Sequence, residues 1–179
     1  GLYDIFEVIQ LAAQSLKLIS SDFVLEVSLL GLIEAMLSRA CGDSLFGEKA
    51  LGFIAEKNAH DLSRLCTEYN VSAADEKKLQ LLITAYGERH AVISALEGEC
   101  AGKELDELKA LSKLLDLSPD SDKIRFDFSV VNNMSYYNGF VFRGFLDGVC
   151  DGVLAGGQYD RLMAKMNRKS GAVGFAIYL

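Results

Sequence analysis

The stretch MSYYNGFVFRGF, followed a little further along by LAGGQYDRLM, holds the residues best suited to recognise a small ligand. Tyr136 and Tyr137 are neighbours on a segment predicted to be extended, so their rings should point to opposite faces. We expect one ring to enter the core and the other to line a pocket, where it could stack on a ligand and offer a hydroxyl. Two purely structural tyrosines would give the same pattern, and the sequence leaves both interpretations open.

The glycine pair Gly156-Gly157 follows a predicted strand and precedes a predicted helix. Glycine permits close approach to the backbone and exposes its amides, so a carboxylate or phosphate could bind at the helix start. The residues after the pair are locally basic, with Arg161, Lys165, Arg168 and Lys169. An acidic partner or a nucleotide would suit this pattern, but a plain strand-helix turn and a solvated helix face are the simpler explanations.

The other reactive residue types do not form a catalytic or metal-binding pattern. His60 and His90 have no nucleophile or second ligand at useful spacing, so we expect each at the surface or at a helix end. The four cysteines are scattered without a Cys-x-x-Cys pair, so we expect neither disulfides nor zinc and assign the protein to a reducing cytoplasm. The residues alone therefore predict recognition without a particular reaction, and no cofactor or metal.

Composition narrows the classes of protein further. The chain has 179 residues, half of them hydrophobic, which is enough for one domain with a sizeable core. A net charge of −7 argues against a dedicated nucleic-acid binder, which needs a basic face. No apolar run approaches the roughly 18 residues that span a bilayer, so we expect no membrane partner. The chain opens in helical periodicity without an initiating Met, so we expect an excised part of a longer protein.

Residues 1–40 predict a helix, a strand and a second helix. The first helix follows from apolar residues at helical spacing, which are Phe6, Ile9, Leu11, Ala12, Leu16 and Ile19. The strand follows from SDFVLEVS, where Phe23, Leu25 and Val27 share one face while Val24, Glu26 and Ser28 share the other. Gly42 is the expected end of the second helix.

Residues 41–120 predict a wholly helical segment made of short amphipathic pieces. Ser72 is the expected N-cap of one helix, with Asp75 in the capping-box position. A later helix carries a leucine stripe that we assign to the core, made of Leu105, Leu108, Leu111, Leu114 and Leu115. Pro119 closes the segment.

Residues 121–179 switch to the alternating pattern of strands. IRFDFSV, from Ile124 to Val130, predicts a half-buried antiparallel strand. GFVFRGF and GVLAGG predict two more strands, with turns at Asn138-Gly139 and Asp151-Gly152. QYDRLMAKM predicts a short helix, and SGAVGFAIYL a buried final strand. The whole chain is therefore predicted to have an α+β fold.

The segments SYYNGFVF, LAGGQYDRLM and AVGFAI, taken in this order, resemble the histidyl-tRNA synthetase family. Its members carry Arg-Gly-Leu-Asp-Tyr-Tyr-Thr-Gly, Gly-Gly-Arg-Tyr-Asp and a Gly-Phe-Ala strand in motif 3. The resemblance covers residues 1–40 and 124–179, and the helical segment between them matches the family's insertion by position only. It implies a class II synthetase-like antiparallel sheet flanked by helices, with a helical insertion.

The departures from the family motifs bear on function. Asn132 stands where an active synthetase has its catalytic arginine, and a neutral amide cannot replace that fixed cation. Arg143 replaces the family's glutamate, and Gln158 the arginine of Gly-Gly-Arg. This pattern is more similar to a non-synthetase branch of the family, the regulatory subunit of short-form ATP phosphoribosyltransferase, which belongs to the first step of histidine biosynthesis.

Resemblance to that branch implies a non-catalytic protein that binds L-histidine and assembles with the catalytic subunit of ATP phosphoribosyltransferase. The sheet would lack its motif 1 and motif 2 strands, so we also expect a homo-oligomer, a dimer within a hetero-oligomer. A histidyl-tRNA synthetase or a fragment of one, activating histidine with ATP, stays open as an alternative. A synthetase-like paralogue of another function is the third.

The resemblance also assigns candidate residues for histidine binding, with no catalytic residue among them. They are Tyr136, Tyr137, Gly156, Gly157, Tyr159, Gly174, Phe175 and Ala176. We expect one of the two adjacent tyrosines to contact the imidazole and the glycines to leave room for the ligand backbone. Asn132 and Gln158 are further candidates for polar contacts, and the role of Arg143 is left open, with an interface salt bridge as one option.

Overall fold

A five-stranded sheet organises the chain. The structure, a computed structural model, describes residues 1–131 and 136–178, so Asn132 lies outside the described residues. The strands are β1 (Phe23–Leu29), β2 (Ile124–Phe126), β3 (Phe140–Leu146), β4 (Leu154–Gln158) and β5 (Val173–Ile177). The helices are α1 (Leu2–Ile19), α2 (Leu30–Ala40), α3 (Ser44–Ala55), α4 (Ala59–Glu68), α5 (Ala73–Thr84), α6 (Arg89–Glu97), α7 (Lys103–Leu115) and α8 (Asp160–Lys165).

The strands lie in the order β2-β1-β3-β4-β5, and the sheet is antiparallel except at one edge. There β2 runs parallel to β1, so the predicted antiparallel strand from Ile124 to Val130 was wrong in direction and in length. The ladder stops because Asp127 turns the chain. Its carboxylate accepts hydrogen bonds from the backbone N–H and the hydroxyl of Ser129, at 2.9 and 2.6 Å.

The sheet has an inner face that forms the core and an outer face that carries the candidate site. Residues that pair directly across strands share a face, so the register assigns each side chain. Helix α1 contacts four of the strands, and Leu16 lies so close to Gly144 that a Cβ there would be 2.6 Å from its Cδ1. The inner face includes the buried residues Leu25, Val27, Ile124, Phe126, Phe142 and Leu154.

The helical prediction for the middle of the chain is confirmed by helices α3 to α7. Ser72 caps α5, because its hydroxyl accepts the backbone N–H of Asp75 at 3.1 Å. The leucine stripe of α7 is core at Leu105, Leu108, Leu111 and Leu115, and Leu114 is half-buried. Side chains that accept hydrogen bonds from the first backbone N–H groups, and burial of one apolar stripe, explain why these short helices form.

The end of helix α2 and the burial of strand β5 differ from the sequence predictions. Helix α2 ends at Ala40, before the Gly42 that was expected to stop it. Strand β5 is half-exposed, with Ala176 open to solvent, so the prediction of a buried final strand was wrong. It lies at the edge of the sheet and pairs only with β4 within the described residues, which leaves part of its surface uncovered.

The histidine prediction agrees with the structure. His60 and His90 are exposed, near the starts of α4 and α6. All four cysteines are described and are free thiols, and burial raises the pKa of Cys66 to about 11. A thiol with so high a pKa is a weak nucleophile. Among the described helices, each is too short or too polar to cross a membrane.

Candidate functional site

Two tyrosines from different motifs meet on the outer face. The rings of Tyr137 and Tyr159 are 5.0 Å apart between centroids and tilted by 35°. Burial raises the pKa of Tyr137 to about 12, and its hydrogen bond with Tyr159 adds to the rise. The hydroxyl of Tyr159 donates in turn to the carbonyl oxygen of Gly174 at 3.1 Å. Tyr136 is 47% exposed, as expected if adjacent rings point in opposite directions.

The glycine pair lies within strand β4, which confirms the predicted strand GVLAGG and excludes the strand-helix turn that was the other interpretation of the pair. Helix α8 begins only at Asp160 and has six residues. A Cβ at Gly157 would come within 2.8 Å of the Tyr137 ring, and a Cβ at Gly156 within 2.5 Å of the Phe142 ring. The space that the two glycines leave is therefore filled by rings of the protein itself.

The candidate residues divide between the two faces of the sheet. Those on the outer face are Tyr137, Gly157, Tyr159, Gly174 and Ala176. We call these five the tyrosine cluster. Gly156 and Phe175 are paired across β4 and β5 on the inner face. Phe175 packs against Phe142 in an edge-to-face arrangement with 6.4 Å between the ring centroids. The structure therefore places five of the eight predicted residues on one face of the sheet. It buries Gly156, packs the half-buried Phe175 against the core and leaves Tyr136 exposed.

Gln158 has a specific partner inside the protein. Its side-chain carbonyl oxygen accepts the backbone N–H of Phe140 at 2.7 Å, and its backbone carbonyl accepts the N–H of Asn138 at 3.0 Å. Asn138 in turn accepts the backbone N–H of Arg161 at 3.0 Å through its side chain. Both ends of the Asn138-Gly139 turn are thus tied to β4 and α8. The turn that follows the two tyrosines is fixed by these bonds.

The basic helix is partly neutralised by a neighbouring acid. Arg161 is bound through Nη2 to both carboxylate oxygens of Glu34 on α2, at 2.9 and 3.0 Å. Arg168 and Lys169 lie exposed beyond the end of α8. The arrangement favours a solvated helix face over an anion site at the start of this short helix.

Several outer-face residues were not among the sequence candidates. The register aligns Arg125, Glu26, Arg143, Ala155 and Ala176 across all five strands. We call these five the central row. The alternation of SDFVLEVS had placed Glu26 and Ser28 on this face, but only strand pairing could show that Glu26 lies opposite Arg143 and Ser28 opposite Val141. Tyr178 also belongs here, because it is close enough to Tyr137 to contribute to the raised pKa.

The carboxylate of Glu26, in the central row, has a raised pKa. Burial raises the pKa of Glu26, and the nearby Asp127 raises it further, while Lys57, Arg125 and Arg143 oppose the rise. Ser28, two residues on, is fully buried, and its hydroxyl has no hydrogen-bond partner among the described residues. The outer face thus combines an aromatic wall, a floor of small residues and opposite charges, which suits binding of a small polar ligand.

A metal site and a covalent catalytic site each require particular side chains close together. Within residues 1–131 and 136–178, no three His, Cys, Asp or Glu side chains are grouped to hold a metal ion. The tyrosine cluster contains phenols with a neighbouring phenol and a backbone carbonyl as partners. A nucleophile beside a base, which covalent catalysis requires, is not part of this cluster.

Comparison with solved structures gives the fold its class, that of the class II aminoacyl-tRNA synthetases. A crystal structure from Bacillus halodurans C, named an ATP phosphoribosyltransferase regulatory subunit/histidyl-tRNA synthetase, superposes with a TM-score of 0.89 at 28% identity. The match covers 99% of this chain and 48% of that one. The sequence model of the histidyl-tRNA synthetase family matches residues 1–179, and the chain belongs to this family.

Curated relatives carry a more specific name. A protein of Halalkalibacterium halodurans, 30% identical over 96% of this chain, is named ATP phosphoribosyltransferase regulatory subunit. The chain spans 44% of the length of that relative. The ATP phosphoribosyl transferase (HisG:HisZ) complex from Thermotoga maritima shares the fold, with a TM-score of 0.76 at 20% identity, covering 100% of this chain and 62% of that one.

Proposed function

We propose that this chain is part of a non-catalytic regulatory subunit of ATP phosphoribosyltransferase, acting in the first step of histidine biosynthesis in the cytoplasm. It binds L-histidine on the outer face of the sheet and assembles, as a homo-oligomer, with a separate catalytic subunit. The observation that carries this proposal is the tyrosine cluster, a recognition surface built without a nucleophile or a base. The name shared by curated relatives supports the same assignment.

The tyrosine cluster suits an imidazole ring. Tyr137 is half-buried and has one ring face against Tyr159, so a flat ligand ring packs beside the pair at little entropic cost. With a pKa of about 12, the phenol of Tyr137 stays neutral throughout the physiological range. It therefore presents a hydrogen-bonding hydroxyl to the ligand and never a phenolate.

Regulation by histidine then requires two assembly states that bind histidine with different affinity. A ligand shifts an equilibrium only through that difference, and the coupling is reciprocal. In this proposal, histidine bound beside Tyr137 favours the assembly in which the catalytic subunit is inhibited. Binding of the catalytic subunit therefore changes the affinity for histidine by the same factor.

Histidyl-tRNA synthetase activity is the second candidate, favoured by membership of that family. It requires a cation where the sequence has Asn132, since the adenylate forms with charge that a neutral amide does not stabilise. Exchange of pyrophosphate into ATP in the presence of histidine tests this candidate directly. Exchange above that of a heat-inactivated control would favour the enzyme over the regulatory subunit.

Calorimetric titration of the full-length protein with L-histidine tests the binding proposal. We expect micromolar affinity, about −8 kcal/mol, lost in Tyr137→Ala and kept in the matched control Tyr136→Ala, whose ring is exposed. Capture of the catalytic subunit, with and without histidine, then tests the assembly. A wild-type protein that neither binds histidine nor captures the catalytic subunit would contradict the proposed function.

A further inference from the structure

Two opposite charges on the outer face are adjacent and yet unpaired. Glu26 on β1 and Arg143 on β3 are direct cross-strand partners. The side chains of directly opposed residues begin about 5 Å apart, a distance that readily permits an ion pair. Within the described residues, however, neither side chain forms an ion pair with the other or with a third residue. Both charges are therefore available to a ligand.

The two side chains differ in their exposure to solvent. Arg143 is exposed and lies over Gly152, with its guanidinium 5.6 Å from the centre of the Phe145 ring. Glu26 is half-buried, and burial raises its pKa. A carboxylate that is partly removed from water gains more from an arriving ammonium group than a fully hydrated one does.

The charges lie within reach of the tyrosine cluster. Val141 precedes Arg143 by two residues on the same face of β3. Its side chain and the Tyr137 ring both lie within 3 Å of the position that a Cβ on Gly157 would take. Positions two residues apart along a strand are separated by about 7 Å. This step matches an amino acid whose charged groups lie between Glu26 and Arg143 and whose ring reaches Tyr137.

We propose that Glu26 and Arg143 form a subsite for the α-ammonium and α-carboxylate groups of a free amino acid whose aromatic side chain packs against Tyr137. The subsite rests on the proposed function and adds the residues that recognise the zwitterion. Arg143 supplies a cation from the sheet itself, in a chain that has a neutral amide at Asn132. The ligand class is a zwitterionic amino acid with a flat, polar ring.

The test is calorimetric titration of the full-length protein with three ligands. L-Histidine has both charged groups, L-histidinol lacks the carboxylate, and imidazolepropionate lacks the ammonium. Arg143→Gln should weaken histidine about 10- to 100-fold, the loss expected for one charged hydrogen bond, and leave histidinol unchanged. Glu26→Gln should weaken histidine by a similar factor and leave imidazolepropionate unchanged.

The matched control is Arg125→Gln, an exposed arginine of the same row on the far side of Glu26. It should leave all three affinities as they are. If wild-type protein binds histidine and Arg143→Gln and Glu26→Gln behave like this control, the subsite is overturned while the proposed function stands. Equal losses for histidine and for both analogues would also overturn it, since that pattern indicates a general electrostatic effect. A wild-type protein that binds no histidine overturns the subsite, and one that also fails to capture the catalytic subunit overturns the proposed function as well.

Discussion

The side-chain carbonyl oxygen of Gln158 accepts a hydrogen bond from the backbone N–H of Phe140 at 2.7 Å. A Cβ on Gly139 would lie 2.0 Å from the same oxygen, so this bond and the glycine depend on each other. Gly139 also has a φ of +73°, which other residues adopt with strain. The arginine of the family's Gly-Gly-Arg motif would stand at position 158, and its side chain carries only hydrogen-bond donors. It could not accept the Phe140 N–H, so this hydrogen bond depends on the glutamine of this chain.

Replacing Gln158 should loosen the turn that follows Tyr137. Gln158→Ala leaves the Phe140 N–H without its acceptor and should lower the free energy of unfolding by about 1–2 kcal/mol. Amide hydrogen exchange should rise at Phe140, and chemical denaturation measures the stability. Gln158→Glu keeps an acceptor and should restore the protection of Phe140. Equal exchange in the alanine and glutamate variants would show that the bond does not fix the turn.

A methyl group at Gly156 should disrupt the core. Gly156→Ala would place a Cβ 2.5 Å from the Phe142 ring and 2.6 Å from the carbonyl oxygen of Gly174. Such overpacking costs about 1–3 kcal/mol, and thermal unfolding measures it. Gly31→Ala in helix α2 is the matched control, since nothing lies within 4 Å of its Cβ and alanine favours helix. The idea fails if the two variants unfold at the same temperature.

Tyr159→Phe should lower the pKa of Tyr137. Burial is the main cause of the raised value of about 12 and would remain, so the pKa should fall only part of the way toward 10.0. The absorbance of tyrosinate as a function of pH measures it, with Tyr137→Phe variants subtracted to isolate one tyrosine. An unchanged pKa would mean that the hydrogen bond from Tyr137 to Tyr159 contributes nothing.

The same raised pKa predicts a loss of stability in alkaline solution. The folded protein holds the Tyr137 proton more tightly than the unfolded chain, whose tyrosine has a pKa near 10.0. This contribution to stability is complete below that pH and is lost as the pH rises toward about 12. Denaturation at several alkaline pH values should show a smaller loss for Tyr137→Phe. An identical pH dependence in both proteins would refute this assignment.

Asp127 should matter more to stability than a surface acid. Its buried carboxylate accepts hydrogen bonds from Lys57 Nζ at 2.7 Å and from Ser129. Asp127→Asn weakens this network and should lower the free energy of unfolding by about 1–3 kcal/mol, as urea denaturation would show. Glu97→Gln is the control, because Glu97 pairs with Lys109 at the surface, where such pairs contribute about 1 kcal/mol or less. Equal effects would show that the Asp127 network is not special.

The sequence predicted much of the local structure because local structure depends on neighbouring residues. The helical spacing of α1, the Ser72 cap and the alternation in β1 all act over a few positions, and all are confirmed. The ordered tyrosine and glycine motifs indicated the family, which the comparison with known sequences confirms. Strand β2 was mispredicted because direction and length depend on its partner β1 and on the turn at Asp127.

The composition of the candidate site was decided only by the tertiary structure. Gly156 and Gly157 are adjacent and chemically identical, yet strand pleating places the first in the core and the second beneath Tyr137. Glu26 and Arg143 are far apart in the sequence and become partners through the register of β1 and β3. A sequence records which side chains the chain carries. Which of them share one face of a sheet depends on pairing between distant strands, and pairing exists only in the folded chain.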